Sequence, residues 1–204
     1  MAKRQTGRNV RTARIIRNTK ETQIQIKLNV DGSGKYKIST GLSFLDHMLE
    51  LFAKHGLFDL EIRAKGDLHI DAHHTVEDIG ISLGKAFGEA LGDRSGIERY
   101  SSVLLPMDET LCEVAVDISG RPHLTLLGKL PKSVVGKQLN ATLIRHFFEA
   151  FVVNASLTLH ADIRRGEDPH HISEGLFKAF AVAMLRACAI NPRKKGVPST
   201  KGIL

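Results

Sequence analysis

The sequence predicts an α+β protein built from two copies of one ββαβα unit, with the helices of each copy on one face of a sheet. Three observations carry this. Stretches of period-two alternation and stretches with apolar residues three and four apart follow each other in the same order twice. The landmark residues of the two passes agree in order and spacing. The pattern His-His-x-x-Glu occurs once in each pass, in "DAHHTVED" (71–78) and again in "DPHHISEG" (168–175).

Residues 1–18 hold Lys3, Arg4, Arg8, Arg11, Arg14 and Arg17 and are expected to be a solvated basic tail. The first copy is placed at 19–95. In "ETQIQIKLNV", Ile24, Ile26, Leu28 and Val30 alternate with polar residues, as in a half-buried strand. "DGSG" (31–34) supplies turn chemistry, and a second strand is expected at about 35–40. In "FLDHMLELFAKHG" the period changes: Leu45, Met48, Leu49 and Phe52 share one helix face, and Gly56 stops the helix. Alternation returns through Phe58, Leu60 and Ile62. A helix from His73 then buries Val76, Ile79, Leu83, Phe87 and Ala90.

The second copy is placed at 96–204. Val114, Val116 and Ile118 alternate, "SGRP" turns, "LIRHFFEAF" is helical, and Leu157, Leu159 and Ala161 alternate. A helix from His170 buries Leu176, Phe177, Phe180 and Met184. Glu21-Thr22 matches Glu109-Thr110, and His47 matches His146. His73, His74 and Glu77 match His170, His171 and Glu174. The single histidine precedes the pair by 26 residues in one copy (47 to 73) and by 24 in the other (146 to 170). One HHxxE arises by chance; two in this context mark a duplication.

Composition narrows the function. A hydrophobic fraction of 42% with 25% charged residues is ordinary for a globular protein. No apolar run approaches the roughly 18–20 residues of a membrane span, and no signal-peptide core follows Met1. Cys112 and Cys188 lie far apart in apolar surroundings, as expected of reduced, buried thiols in a cytoplasmic protein. The net charge of +7 lies largely in the first twenty residues and in "NPRKKGVPSTKG" near the end. It is not a basic face interleaved with aromatics, so neither a nucleic-acid nor a membrane partner is expected.

On a helix, positions three and four apart differ by about 60° and 40° around the axis. Each histidine pair therefore sits near its own glutamate at a helix N-terminus. Adjacent imidazoles point in different directions, so one pair serves two metal sites better than one. Six histidines and two glutamates make eight ligands, enough for two sites of three nitrogens and one oxygen. Imidazole with carboxylate suits manganese, zinc or iron(II). Zincin proteases need HExxH, and this order is wrong for them.

"STGLSFLDHML", "DLHIDAHHTVEDIGISLGKAF", "DIRRGEDPHHISEGLFKAFA" and "GVPSTKGIL" together resemble the imidazoleglycerol-phosphate dehydratases of histidine biosynthesis, from about residue 10 onward. The resemblance implies a fold like the second domain of ribosomal protein S5. It implies two Mn2+ ions per active site, held by His47, His73, His74, Glu77, His146, His170, His171 and Glu174. It implies a homo-oligomeric shell of 24 subunits built from trimers. The substrate is then a small phosphorylated imidazole, D-erythro-1-(imidazol-4-yl)glycerol 3-phosphate. Its dehydration gives 3-(imidazol-4-yl)-2-oxopropyl phosphate.

That chemistry makes a physical demand. The C–H to be removed is not next to a carbonyl and is not acidic alone. The ring can expel the hydroxyl if it becomes imidazolate, and two divalent ions on its nitrogens would stabilise that anion. A carboxylate must then move a proton at carbon. Glu21, at the mouth of the first strand, matches the family's acid/base glutamate, with Glu174 next in line. Arg99, Arg121, Lys178, Ser199, Thr200 and Lys201 match its phosphate contacts, and His55 is placed with the substrate. His55, Asp46, Asp71 and Asp78 are candidate orienters of the imidazoles. The competing reading is a histidine-rich, metal-dependent assembly protein or an RNA-binding module of S5-like fold. Such a module has no use for two HHxxE sets.

Overall fold

The computed structural model describes residues 10–130, 133–135 and 139–204. The first half runs β1 (Thr12–Asn18), β2 (Thr22–Asn29), β3 (Tyr36–Ser39), α1 (Ser43–Gly56), β4 (Asp59–Gly66) and α2 (His73–Leu91). The second half repeats it as β5 (Tyr100–Met107), β6 (Thr110–Asp117), β7 (His123–Leu127), α3 (Leu143–Ala155), β10 (Thr158–Arg165) and α4 (Pro169–Cys188). A short hairpin, β8 (Val134–Val135) with β9 (Leu139–Asn140), is inserted before α3. The two large sheets have equivalent orders, β1-β2-β4-β3 and β5-β6-β10-β7. In each, the last-named strand is parallel to its neighbour and the other pairings are antiparallel. The strands on either side of "DGSG" therefore do not pair with each other, because β4 lies between them.

The duplicated ββαβα unit is present in both halves, and each carries one further strand in front of it. β1 and β5 are outer-edge strands, antiparallel to β2 and β6. This corrects the expected basic tail over 12–18: Ile15 is buried while Arg14 is exposed, so the strand has one apolar side. Arg17 closes onto Asp78 at 2.8 Å. Residues 1–9 of that tail lie outside the described residues.

Each sheet buries one face. In β2, Thr22, Ile24, Ile26 and Leu28 are buried and the residues between them are exposed; in β6, Thr110, Cys112, Val114 and Val116 are buried and the residues between them half-buried. The helices cover those faces and meet each other across the duplication, α1 against α4 and α2 against α3. One phenylalanine from each helix enters the centre: Phe52, Phe87, Phe151 and Phe180, with Phe52 to Phe180 rings 5.2 Å apart. Burying each ring stabilises the fold by about 1.5–3 kcal/mol. α2 and α3 approach closely because Gly80 and Gly84 have no side chains; a Cβ at Gly84 would lie 2.5 Å from the Phe151 carbonyl oxygen. Both cysteines are buried and free, and burial pushes each thiol to about 12. Among the described residues, no helix is long and apolar enough to cross a membrane.

Candidate active site

The helix pairs that join the halves also join the histidines. On α1, Leu45, Met48, Leu49 and Phe52 are buried, which leaves His47 at the rim beside the start of α4. There it meets His170 and Glu174, and one ligand atom from each lies within 4.8 Å of the others. His47 Nε2 and His170 Nε2 are 3.5 and 3.2 Å from Glu174 Oε2. Phe44 packs edge-on against the His170 ring at 5.2 Å and limits its rotation. Glu174 is buried, which pushes its carboxyl up. Lys178, 2.5 Å from its other oxygen, together with His170 and His47, outweighs this and holds the carboxyl below its ordinary value. His55, on the last turn of α1, shares this neighbourhood: burial lowers its pKa first and the Lys178 charge second.

The matching residues of the other set lie at the α2–α3 contact. His73 Nε2 is 3.7 Å from Glu77 Oε2, and the His73 and His146 rings are 4.6 Å apart. This set is the looser of the two: His146 Nδ1 faces Glu149 at 3.7 Å, and among the described residues only His47, His170 and Glu174 bring three ligand atoms within 4.8 Å of one another. Each cluster thus takes its single histidine from one half and its HHxxE histidine and glutamate from the other.

Only the first histidine of each pair enters a cluster. His73 and His74 rings are 6.2 Å apart at 69°, and His170 and His171 are 6.1 Å apart at 85°. His74 Nδ1 is 2.9 Å from Asp67 and 4.0 Å from Glu21. His171 Nδ1 is 2.8 Å from Glu109, and its Nε2 is 3.8 Å from Asp108. Hydrogen bonds to Asp67 and Glu109 raise the pKa of both imidazoles; the same bond holds the Glu109 carboxyl at about 2. The helix starts fix the pairs. Asp168 caps α4 by accepting from the backbone N–H of His170 and His171, with Pro169 in the first turn, and Asp71 accepts from His73 N–H.

A separate cleft of about 630 Å³ is lined by Arg99, Tyr100, Arg121, Pro198, Ser199, Thr200 and Lys201. Five of the expected phosphate contacts meet there. Lys178 does not; it is held on Glu174. Arg99 is buried, forks onto Asp117 at 2.7 and 3.2 Å and donates to the Pro198 carbonyl at 2.9 Å. It ties the C-terminal segment to the sheet, while Arg121 and Lys201 stay exposed.

The expected orienters need correcting. Asp46 accepts from the Thr40 N–H and hydroxyl, Asp71 from a backbone N–H, and Asp78 from the Thr22 hydroxyl and Arg17. None holds an imidazole ring. Asp67 and Glu109 do. Spacing did not reveal them, because their partners lie across a loop or across the sheet; the only signal was the Glu21–Glu109 match.

The family model described as imidazoleglycerol-phosphate dehydratase matches residues 40–184. The imidazoleglycerol-phosphate dehydratase of Geobacter metallireducens is 55% identical over 194 residues, covering 95% of this chain and 99% of its own. That of Methylorubrum extorquens is 53% identical over 196 residues, covering 96% and 100%. The solved Staphylococcus aureus dehydratase aligns with a TM-score of 0.80 at 40% identity, covering 88% of this chain and 99% of its own. The Pyrococcus furiosus enzyme, solved in complex with (S)-C348, aligns at 0.79 with 34% identity, covering 93% and 100%. Motif, fold and full-length relatives agree, and the chain belongs to the imidazoleglycerol-phosphate dehydratase family.

Proposed function

We propose that the chain performs its family's reaction at two divalent-metal sites built across the duplication, with Glu21 moving the proton. The reaction itself is the hydro-lyase step of L-histidine biosynthesis: imidazole glycerol phosphate loses water and becomes imidazole acetol phosphate. The observation that carries the metal reading is the gathering of His47, His170 and Glu174 ligand atoms within 4.8 Å. Two neutral imidazole nitrogens and one carboxylate oxygen suit Mn2+, Zn2+ or Fe2+, and we assign Mn2+ on the family resemblance. His73, His146 and Glu77 would hold the second ion. When bound, the cations supply Lewis acidity toward the substrate ring.

This chain's residues do the rest. Arg121, Ser199, Thr200 and Lys201 bind the phosphate, and Arg99 keeps that segment in place. Glu21 has its side chain half exposed and, among the described residues, pairs only with His74, at 4.0 Å. It is therefore free to take the proton from the middle carbon of the glycerol chain as the hydroxyl leaves the ring-bearing carbon. On this reading each site would take three ligands from within the chain. His74 and His171, which stand apart from the clusters, would supply the fourth to neighbouring copies, and on this reading the active site would belong to a homo-oligomer. The 24-subunit shell of trimers is assigned on the family resemblance. The cytoplasm is the compartment that suits two unpaired thiols.

Metal analysis of the purified chain tests this reading. Chelation should remove activity and break the particle into small oligomers, and Mn2+ should restore both. A particle that keeps its size and turnover after complete metal removal would overturn it.

A further inference from the structure

The second histidine of each pair is held in the same way by carboxylates from unmatched positions. In the first half, Asp67 follows the last residue of β4, and its side chain is only 10% exposed. Its Oδ2 lies 2.9 Å from His74 Nδ1, and its other oxygen, Oδ1, is buried with no hydrogen-bond partner among the described residues. In the second half, Glu109 precedes β6, and its Oε2 lies 2.8 Å from His171 Nδ1. Glu109 is the counterpart of Glu21 in the duplicated pattern. An ionised carboxylate only accepts hydrogen bonds, so each Nδ1 must carry the proton. The lone pair of each ring is then on Nε2. For His171 the neighbour there is Asp108, which is 76% exposed and 3.8 Å away.

We infer that Asp67 and Glu109 are the positioning residues of His74 and His171, each fixing the Nδ1–H tautomer and ring direction so that Nε2 is offered to a divalent cation. The inference rests on the reading that these two histidines are ligands. It also separates two matched carboxylates by role. Glu109 is committed to an imidazole. Glu21 is not, because Asp67 takes that duty in its half. Carboxylates behind ligand imidazoles tune metal affinity by about 10–100-fold.

The test is titration of the full-length, metal-free chain with Mn2+, following the free ion by its paramagnetic resonance signal. Asp67→Ala and Glu109→Ala should each weaken Mn2+ binding about 10–100-fold while the thermal midpoint of the metal-free protein stays within a few degrees. Asp67→Asn and Glu109→Gln keep an acceptor oxygen and should recover most of the affinity. Wild-type affinity in both alanine variants, or a loss that Asn and Gln do not recover, would overturn the inference. If Asp67→Ala does not fold, Glu109→Ala carries the same test. His74→Ala and His171→Ala separate the two levels. If they bind Mn2+ like wild type, the ligand reading itself fails. If they lose it while the carboxylate variants do not, only the positioning role fails.

Discussion

The two halves have the same strands in the same order, yet they use matching residues differently. Arg11, just before β1, forks onto Asp31 and donates to the Cys188 carbonyl at 2.6 Å. Arg99, just before β5, forks onto Asp117 and donates to the Pro198 carbonyl. The first clamp holds the end of α4; the second holds the segment that lines the cleft beside Arg121. Glu21 and Glu109 divide in the same manner, one nearly free and one bonded to an imidazole. The clusters, by contrast, do not belong to either half, because each draws side chains from both. Duplication supplied the parts twice, and small local differences gave one copy of each pair a second task.

The largest effects should come from breaking one cluster and leaving the other. Glu77→Gln should empty the α2–α3 site and Glu174→Gln the α1–α4 site, each lowering Mn2+ affinity there by more than about 100-fold, beyond what outer partners alone contribute. Metal content by mass spectrometry should fall by half in each variant. The two should differ in stability. Gln at 174 leaves Lys178 without its charged partner and should lose about 1–3 kcal/mol in denaturant melts. Glu77 is about half exposed and its loss should stay within about 0.5 kcal/mol. Equal stability losses would contradict the asymmetry.

Acid should act on the two carboxylate-held histidines, His74 and His171. Protons and cations compete for the same lone pairs. The bonds to Asp67 and Glu109 raise the pKa of His74 and His171 above the ordinary value of about 6.5, so metal loss on acidification should begin above that value. The metal-free protein should respond in the opposite sense. A raised folded-state pKa contributes stability that is present below the unfolded pKa and lost as pH rises through the folded one. Melting with and without Mn2+ across that window should give slopes of opposite sign.

A smaller effect compares the helix contacts. Ala at position 84 places its Cβ against the Phe151 carbonyl and should cost about 1–3 kcal/mol despite the better helix propensity. At Gly88, one turn on, the nearest atom is 3.6 Å away, and Gly88→Ala should gain up to about 1 kcal/mol. Thermal melts of the pair check this.

The duplication, all four helices and the two HHxxE sets were legible in the sequence because periodicity and exact residue types carry them. Strand β1 was not. Four of its residues are Thr, Arg and Asn, and only Ile15 is buried, so an edge strand with a polar outer side resembles a solvated basic tail. The residues that orient the imidazoles were misplaced for a different reason. Asp46, Asp71 and Asp78 are near the histidines in sequence, but hydrogen-bond partners are chosen in space. Asp67 and Glu109 reach the rings only after β4, β6 and the helix starts are assembled.

The most direct test of the division between the halves is a matched pair, Glu21→Gln and Glu109→Gln, each assayed for turnover with saturating Mn2+ and for Mn2+ affinity. Glu21→Gln should lower kcat by about 10²–10⁴-fold with Mn2+ binding close to wild type, because it removes a proton carrier and no ligand. Glu109→Gln should leave turnover of the fully loaded enzyme within about tenfold of wild type. A Glu109→Gln variant that loses turnover as Glu21→Gln does, or a Glu21→Gln variant that loses Mn2+ instead, would contradict the account.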